Sequence, residues 1–587
     1  MSTVQTRPVF AILLMLGVCS AVLMPYRVVP IPNFLPEVLV VVMVFLAALV
    51  ALGKDKFPVE AQWGWSVVCP LLLSAWLIVC IPLIQAPYPD TLVFPVTSLI
   101  AAGLVASFGV AYRRHRMQTT ACTVLAIGFI VASTGTAMLQ IVQLFSPDRI
   151  EFWLVPRRQH MQPFGNLAQR NHAACIHALA ILSSAYFLLS RRKPHRWVLA
   201  ITSVLAMAGL VMSGSRIGSI LGAIGVSAFV LLAPGLRRSD GTLDLQQVLR
   251  IGVFLGLTYP LLYLSGAKLV LWTDAAQTFD GAITRWMTYG NTPRMALQEL
   301  ALKIFLEHPL AGSGWGSFTA QSLVKVDALR LPQYANNSHN LVTQLAAETG
   351  IGGLLAVVIP LSLVLGRALR ANIHADQGYL LILCTIFLAY SITEFPLWHT
   401  FFLMPFAFAL GLLDSKSWEI RLSRSMRISV IAFYVLVCVA SFYFVDRYID
   451  IARMTSAVFK PGRHSEELRA YVFNNLKAPG FSPQTELLAF GLMNVDREDL
   501  EQKIALGQRV VRQHIVPTLL TRQAGLLALN GQTEESVAHV IAACRFYPDQ
   551  CQYAQAELET LSKLEPTAFL PVLTEFKKRQ ETELKRR

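Results

Sequence analysis

About thirteen apolar stretches, most of them near the 20 residues that a bilayer-crossing helix requires, constrain this chain more than any other feature. They run over 8–24, 34–53, 65–84, 91–112, 121–145, 171–190, 196–213, 217–234, 248–266, 341–366, 377–393, 399–413 and 428–446. A chain patterned this way has to satisfy its backbone inside each segment, so the expected fold class is an all-α polytopic membrane protein. Composition agrees: of 587 residues, 54% are hydrophobic and only 15% charged, which excludes an ordinary soluble or disordered chain. The formal net charge of +14 would suggest a nucleic-acid partner in a soluble protein, but here the basic residues sit mostly between apolar runs, so no nucleic acid is expected.

Placing the N-terminus in the cytoplasm collects Lys54/Lys56, Arg113/Arg114/Arg116, Arg191/Arg192/Lys193/Arg196, Arg237/Arg238, Arg367/Arg370 and Lys416/Arg421/Arg424/Arg427 on one side, as the positive-inside rule requires. The first run is followed almost at once by further spans and reads as an anchor, not a cleaved signal peptide. Between the eleventh and twelfth runs, TEFPLWHT marks either a tight outer turn or a broken helix. The division expected is 1–266 for the N-terminal transmembrane helices, 267–340 for a large outer loop, 341–446 for the C-terminal transmembrane helices and 447–587 for a polar, soluble helical domain outside the membrane. Within the last, RQAGLLALNGQTEESVAHVIAACRFYP resembles one helix-turn-helix unit of the tetratricopeptide type, without a persuasive 34-residue period.

The nine cysteines form no metal-binding spacing. Seven lie in apolar stretches; Cys544 and Cys551 fall in the C-terminal domain, as a disulfide or as free thiols.

Polar side chains gathered at one face of a membrane protein carry more information than the apolar majority, because each resists hydrocarbon and needs a partner. Four groups fall on the outer face. In QPFGNLAQRNHAACIHALA, Gln162, Asn166, Gln169, Arg170, Asn171 and His172 precede a span, with His177 inside it; they line a cavity or cap a helix entrance. In SGSRIGS, Arg216 stands at a glycine turn, where a guanidinium suits a phosphate or diphosphate, or snorkels as a helix-end anchor. The long loop carries Arg285 and Arg294 ahead of an amphipathic helix and of AGSGWGSF, which lacks the lysine of a P-loop and is either a close-approach loop or a turn that packs back on the bundle. In NNSHNLVTQLAAETGIGG, His339 opens a span with Ser338 and Asn337 as possible N-caps, and Glu348 follows inside it. His339 is either a proton acceptor near neutrality or a structural histidine. Glu394 and His399, in TEFPLWHT, complete the set.

With these residues assembled, the chain resembles the O-antigen ligase superfamily, and most closely its PglL-type protein O-oligosaccharyltransferases. FGNLAQRNHAA is similar to that branch's amino-terminal motif, HPLAGSGWGSF with SHNLVTQLAAETGIGG to the ligase/polymerase core, and EFPLWHTFFLMPFAFALGL to the branch's carboxy-terminal extension. The likeness covers about residues 1–450 and departs at Phe395, where many relatives carry tyrosine.

The resemblance implies a multi-pass enzyme of the bacterial inner membrane, among membrane lipids, with its active site and C-terminal domain in the periplasm. It would move a preassembled glycan from undecaprenyl diphosphate to a hydroxyl of an exported protein such as pilin, with no cofactor and no metal. In that scheme Arg216, Arg285 and Arg294 hold the diphosphate and His339 orients or deprotonates the acceptor, while Gln169, Asn171, His172, Glu348 and Glu394 bind or support substrate. Transfer to lipid A core and polymerisation of repeat units share donor and fold. A transporter is the reading from another class; it predicts ionisable groups near mid-membrane and two related halves.

Overall fold

The computed structural model describes residues 8–54, 60–84, 88–145, 153–155, 162–189, 195–232, 253, 292–326, 335–371, 373–460, 465–475 and 478–586. Twelve of the predicted runs fall on helices; the ninth, 248–266, lies outside the described residues apart from Val253, as do 267–291 and 327–334 of the predicted outer loop. The helices are α1 Val9–Leu23, α2 Phe34–Lys54, α3 Trp65–Ile84, α4 Val93–Arg114, α5 Gln118–Phe145, α6 Arg170–Leu189, α7 Arg196–Met212 and α8 Arg216–Leu232. Beyond the undescribed stretch come α9 Thr292–Glu307, α10 Phe318–Val324, α11 Leu341–Arg370, α12 Ala375–Ser391, α13 Thr400–Leu413 and α14 Arg424–Val458. Among the described residues, seven helices are long and apolar enough to cross a bilayer and five shorter ones are also apolar, so this is a multi-pass membrane protein. A two-stranded ribbon among the described residues departs from the all-α expectation: β1 Glu60–Gly64 pairs antiparallel with β2 Ser417–Arg421, with Trp63 opposite Trp418. Indole pairing across a strand stabilises such a ribbon, and Trp418 also meets Trp65 edge-on at 5.9 Å.

The chain forms two compact units. The first comprises 1–74, 97–290 and 355–445. Its core is built around α6, which packs against α5, α7, α8 and α12 and is 89% buried over its apolar window, against 17% for α14. A helix in the centre of a bundle is shielded from lipid by its neighbours and can therefore carry polar groups that a peripheral helix could not. Accordingly His177 sits wholly buried on α6, with Nδ1 2.8 Å from Ser133 Oγ and Nε2 2.9 Å from Gln140 Oε1, both on α5. Both ring nitrogens are satisfied, and His177 is a structural link between helices.

The second unit comprises 75–96, 291–354 and 446–587. The described residues of its C-terminal part form the helices α15 Glu466–Asn474, α16 Ser482–Leu492, α17 Leu500–Gln513, α18 Pro517–Leu529, α19 Thr533–Phe546, α20 Cys551–Leu564 and α21 Pro566–Arg586. The predicted helix-turn-helix is present as α18 and α19. Pro517 begins α18, where a missing N–H costs nothing, and Gly531 turns the chain at a positive φ of 75°. Cys544 near the end of α19 is bonded to Cys551 at the start of α20.

Candidate active site

Within the first unit, the polar motif before α6 divides into residues that build a loop and residues that converge. Asn166 is a builder: its Nδ2 donates to the carbonyls of Leu23 (2.7 Å) and Trp153 (3.0 Å), and its Oδ1 accepts from the backbone of Val155 (3.0 Å). Gln162 is committed as well, its Oε1 accepting from Arg170 Nη1 at 2.7 Å. The loop turns through Ala168 in the left-handed region, φ 56°, which strains a residue with a Cβ and fixes where α6 starts. Gln169, just after that strained residue, keeps a buried Oε1 without a hydrogen-bond partner.

The next two residues converge with other helices. Asn171 Nδ2 donates to Glu394 Oε1 at 2.8 Å, and Asn171 Oδ1 accepts from Ser215 Oγ at 2.8 Å. Ser215 in turn caps α8, since its Oγ accepts from the backbone N–H of Gly218 at 3.1 Å. Arg216 is therefore the first residue of a helix whose start is tied through Ser215 and Asn171 to a buried carboxylate. A guanidinium at the positive end of a helix dipole adds cationic charge to unsatisfied N–H groups, an arrangement suited to anions.

One residue further on, buried His172 places Nδ1 2.7 Å from the Tyr390 hydroxyl. Phe395 carries no hydroxyl, yet a phenol, that of Tyr390, does enter this network five residues upstream. The segment TEFPLWHT forms a tight turn: a single 3-10 turn, Pro396–Trp398, separates α12 from α13. It brings His399 edge-on to His172, with ring centroids 4.8 Å apart. His399 Nδ1 lies 2.7 Å from Glu37 Oε1 of α2, and Glu37 Oε2 accepts from the Thr400 backbone at 2.5 Å. Behind them Arg27 donates to Asn33 Oδ1 (2.6 Å) and to the carbonyls of Asn166 (2.8 Å) and Ala21 (3.1 Å). Burial pulls Arg27 down to about 10, with Glu37 opposing the fall, so it stays cationic at neutral pH.

Within the second unit, the glycine-rich loop packs back on the span that follows it. Gly350 adopts φ 62°, ψ −165°, a conformation essentially reserved for glycine, and it breaks α11. The backbone groups freed by the break are taken up by the loop. Ser313 and Gly314 donate to the carbonyls of Ala347 (2.9 Å) and Glu348 (3.0 Å), and Ile351 donates to Pro309 (2.8 Å). The approach leaves no room for side chains: a Cβ on Gly350 would lie 2.3 Å from the Leu310 carbonyl oxygen, and one on Gly312 2.3 Å from the Glu348 carbonyl carbon. Gly312 in AGSGWGSF and Gly350 in ETGIGG thus serve backbone-to-backbone docking.

Glu348 is buried at this junction, where its Oε1 accepts from the Phe318 N–H at the start of α10, 3.1 Å away. Beside it, Trp76, Ile84, Tyr88 and Trp315 line a mainly apolar pocket. His339 is held differently from expectation. Asn337 Oδ1 accepts the His339 N–H at 2.9 Å, in a short side-chain turn that fixes His339 at φ 53°. The N-cap of α11 is Asn340, whose Oδ1 accepts from Val342 (2.9 Å) and Thr343 (3.3 Å), in place of Ser338 or Asn337. Arg294 lies in the first turn of α9, half-buried, and Arg285 lies outside the described residues.

The predicted residues thus sit in two clusters, Gln169, Asn171, His172, Arg216 and Glu394 in the first unit, and Arg294, His339 and Glu348 in the second. Residues 173–358 match the family described as O-Antigen ligase. Residues 379–560 match the C-terminal region of a second family, described as virulence factor membrane-bound polymerase. The first match spans Arg216, Arg294, His339 and Glu348; the second takes in Tyr390, Glu394 and His399 and runs into α20.

Among relatives, the chain is 24% identical over 382 residues to a general O-oligosaccharyltransferase of Acinetobacter baylyi, covering 63% of this chain and 61% of that protein. It is 23% identical over 373 residues to a ComP-specific O-oligosaccharyltransferase of the same organism, covering 62% of this chain and 63% of the relative. The matched stretch spans less than two thirds of either relative's length.

Sequence reasoning passed over Glu37, Ser215 and Tyr390. Glu37 interrupts an apolar run as its lone acidic residue and could have been flagged on that ground; Ser215 was visible as a cap before Arg216; Tyr390 carried no signal inside its apolar helix.

Proposed function

We propose that this protein is a membrane glycosyltransferase that moves a preassembled oligosaccharide en bloc from undecaprenyl diphosphate to serine or threonine hydroxyls of exported proteins such as pilin. The observation that carries the reading is Arg216 at the capped N-terminus of α8, fixed through Ser215 and Asn171 to Glu394, within the family-matched region. There it binds the donor diphosphate, with Arg285 and Arg294 as further cations for the charge that develops as the diphosphate leaves. The acceptor oxygen attacks the anomeric carbon and loses its proton, the bond from that carbon to the diphosphate oxygen breaks, and undecaprenyl diphosphate departs. His339 orients the acceptor or takes the proton; Gln169, with its unpartnered Oε1, and His172 position the reactants. No step calls on a metal or cofactor.

The cytoplasmic N-terminus, the periplasmic site in the bacterial inner membrane, the division at 266, 340 and 446, and about thirteen spans belong to the same proposal. The Cys544–Cys551 bond supports a periplasmic C-terminal domain, because disulfides persist in oxidising compartments. That two matched relatives are named O-oligosaccharyltransferases favours protein as the acceptor over lipid A core or a growing glycan.

Reconstitution with a lipid-linked glycan and, in parallel, pilin or lipid A core tests the assignment. Glycan on pilin hydroxyls is expected; glycan on lipid alone would reassign the acceptor, and transfer to neither would remove the proposal.

A further inference from the structure

His399 and Glu37 form a carboxylate–imidazole pair that the scheme above does not use. They lie 362 residues apart in sequence, and the pair joins α2 to the turn before α13 with Nδ1 2.7 Å from Glu37 Oε1. Asn33 Nδ2 stands 3.4 Å from the same nitrogen, too far to compete, and its own Oδ1 is engaged by Arg27. Nδ1 therefore carries the hydrogen and donates it to the carboxylate, which leaves the lone pair of the neutral ring on Nε2. That nitrogen has no hydrogen-bond partner among the described residues. The ring is walled by Phe401, stacked at 5.2 Å, and by the edge of His172, and its side chain is 12% exposed. The titratable and charged groups around it are Glu37 from α2, His172 from α6, and Arg27 behind Asn33.

An imidazole oriented by a carboxylate, with its second nitrogen uncommitted, is the arrangement that general bases use to take a proton from a hydroxyl. We propose that the His399–Glu37 pair accepts the proton of the acceptor hydroxyl during glycan transfer. The proposal rests on the transferase reading and deepens it by assigning the proton to this pair, which leaves His339 the role of orienting the acceptor. As the acceptor oxygen bonds to the anomeric carbon, its O–H electrons remain on oxygen and the proton passes to His399 Nε2. The bond from the anomeric carbon to the diphosphate oxygen takes its electrons to the leaving group. Glu37 offsets the imidazolium charge until the proton returns to solvent or to the departing diphosphate.

A purely structural pair would also tie α2 to α13, since Glu37 Oε2 caps α13 through Thr400. The variants are chosen around that. Glu37→Gln keeps a carbonyl oxygen for the Thr400 N–H but cannot offset an imidazolium. His399→Asn and His399→Ala remove the base. The measurement is kcat/KM against pH for transfer from an undecaprenyl-diphosphate glycan to a serine-bearing acceptor peptide, with donor binding read separately.

The expected results are a fall of about 10²–10⁴-fold for His399→Asn with donor binding retained, partial rescue of His399→Ala by added imidazole, and for Glu37→Gln a lower plateau with the acid limb moved to lower pH. A His399→Asn enzyme within threefold of wild type would overturn the proposal. So would rate loss without imidazole rescue alongside an unmoved limb in Glu37→Gln. If the His399 variants do not fold, the limb of Glu37→Gln decides alone. A wild type that transfers no glycan would instead overturn the underlying function and this step with it.

Discussion

Asn171, the second residue of α6, donates its side-chain amide hydrogen to the buried carboxylate of Glu394, 223 residues later in the chain, at 2.8 Å. The same amide's oxygen holds Ser215, so one side chain couples the starts of α6 and α8 to the turn after α12. Replacing it with Asp sets two carboxylates against each other, whereas Ala merely leaves Glu394 and Ser215 short of a partner. Asn171→Asp is expected to melt below Asn171→Ala, which itself loses about 1–3 kcal/mol. Pairing each with Glu394→Gln in a double-mutant cycle checks the coupling: Glu394→Gln should largely restore Asn171→Asp and add little to Asn171→Ala.

Gly350 predicts a second result. Its φ of 62° and ψ of −165°, together with the 2.3 Å approach of a Cβ to the Leu310 carbonyl, exclude any other residue without rearrangement. Gly350→Ala should cost at least about 1–3 kcal/mol from backbone strain alone. Thermal unfolding in detergent reads the loss, and Gly366→Ala, where a Cβ meets open space, is the control expected to change little.

Arg216 should not tolerate its usual conservative replacement. Lysine keeps the charge but offers a point in place of a planar fork, so Arg216→Lys is expected to weaken binding of the lipid-linked donor by about tenfold or more with little effect on folding. Equilibrium binding of undecaprenyl diphosphate checks it, and unchanged affinity would count against a diphosphate contact.

The C-terminal helices carry an acid-sensitive group. Burial pulls His514 down to about 4 from its ordinary 6.5, a hydrogen bond with the Pro483 backbone opposing the fall, and its Nε2 is buried without a partner. The folded state thus favours the neutral ring. The stabilisation is complete above 6.5 and is lost as pH falls from there toward 4, by up to about 3 kcal/mol. Denaturation followed between pH 7 and 4 should show this slope, and His514→Gln should flatten it.

The helices were legible because apolar length is a local property: twelve of the apolar runs became helices, eleven of them close to their expected ends, while α14 runs on to Val458, well past the expected 446. What stayed hidden depended on distant partners. Gly350 reads as an ordinary small residue in a span until the loop that fills the broken helix is in place. Glu348 looked like a site residue supporting His339, and its carboxylate in the fold also meets the start of α10. Glu37 and His399 lie 362 residues apart, beyond any periodicity, and Asn340 took the capping role because Asn337 was already bent back on the His339 backbone.

The central claim is en bloc transfer from a lipid diphosphate to a hydroxyl, and the mass of an intact acceptor tests it most directly. With a donor carrying one defined oligosaccharide, each pilin molecule should gain the whole glycan mass in a single step, with one undecaprenyl diphosphate released per glycan. Gain of single sugars in a ladder, or glycan transfer without that release, would contradict it.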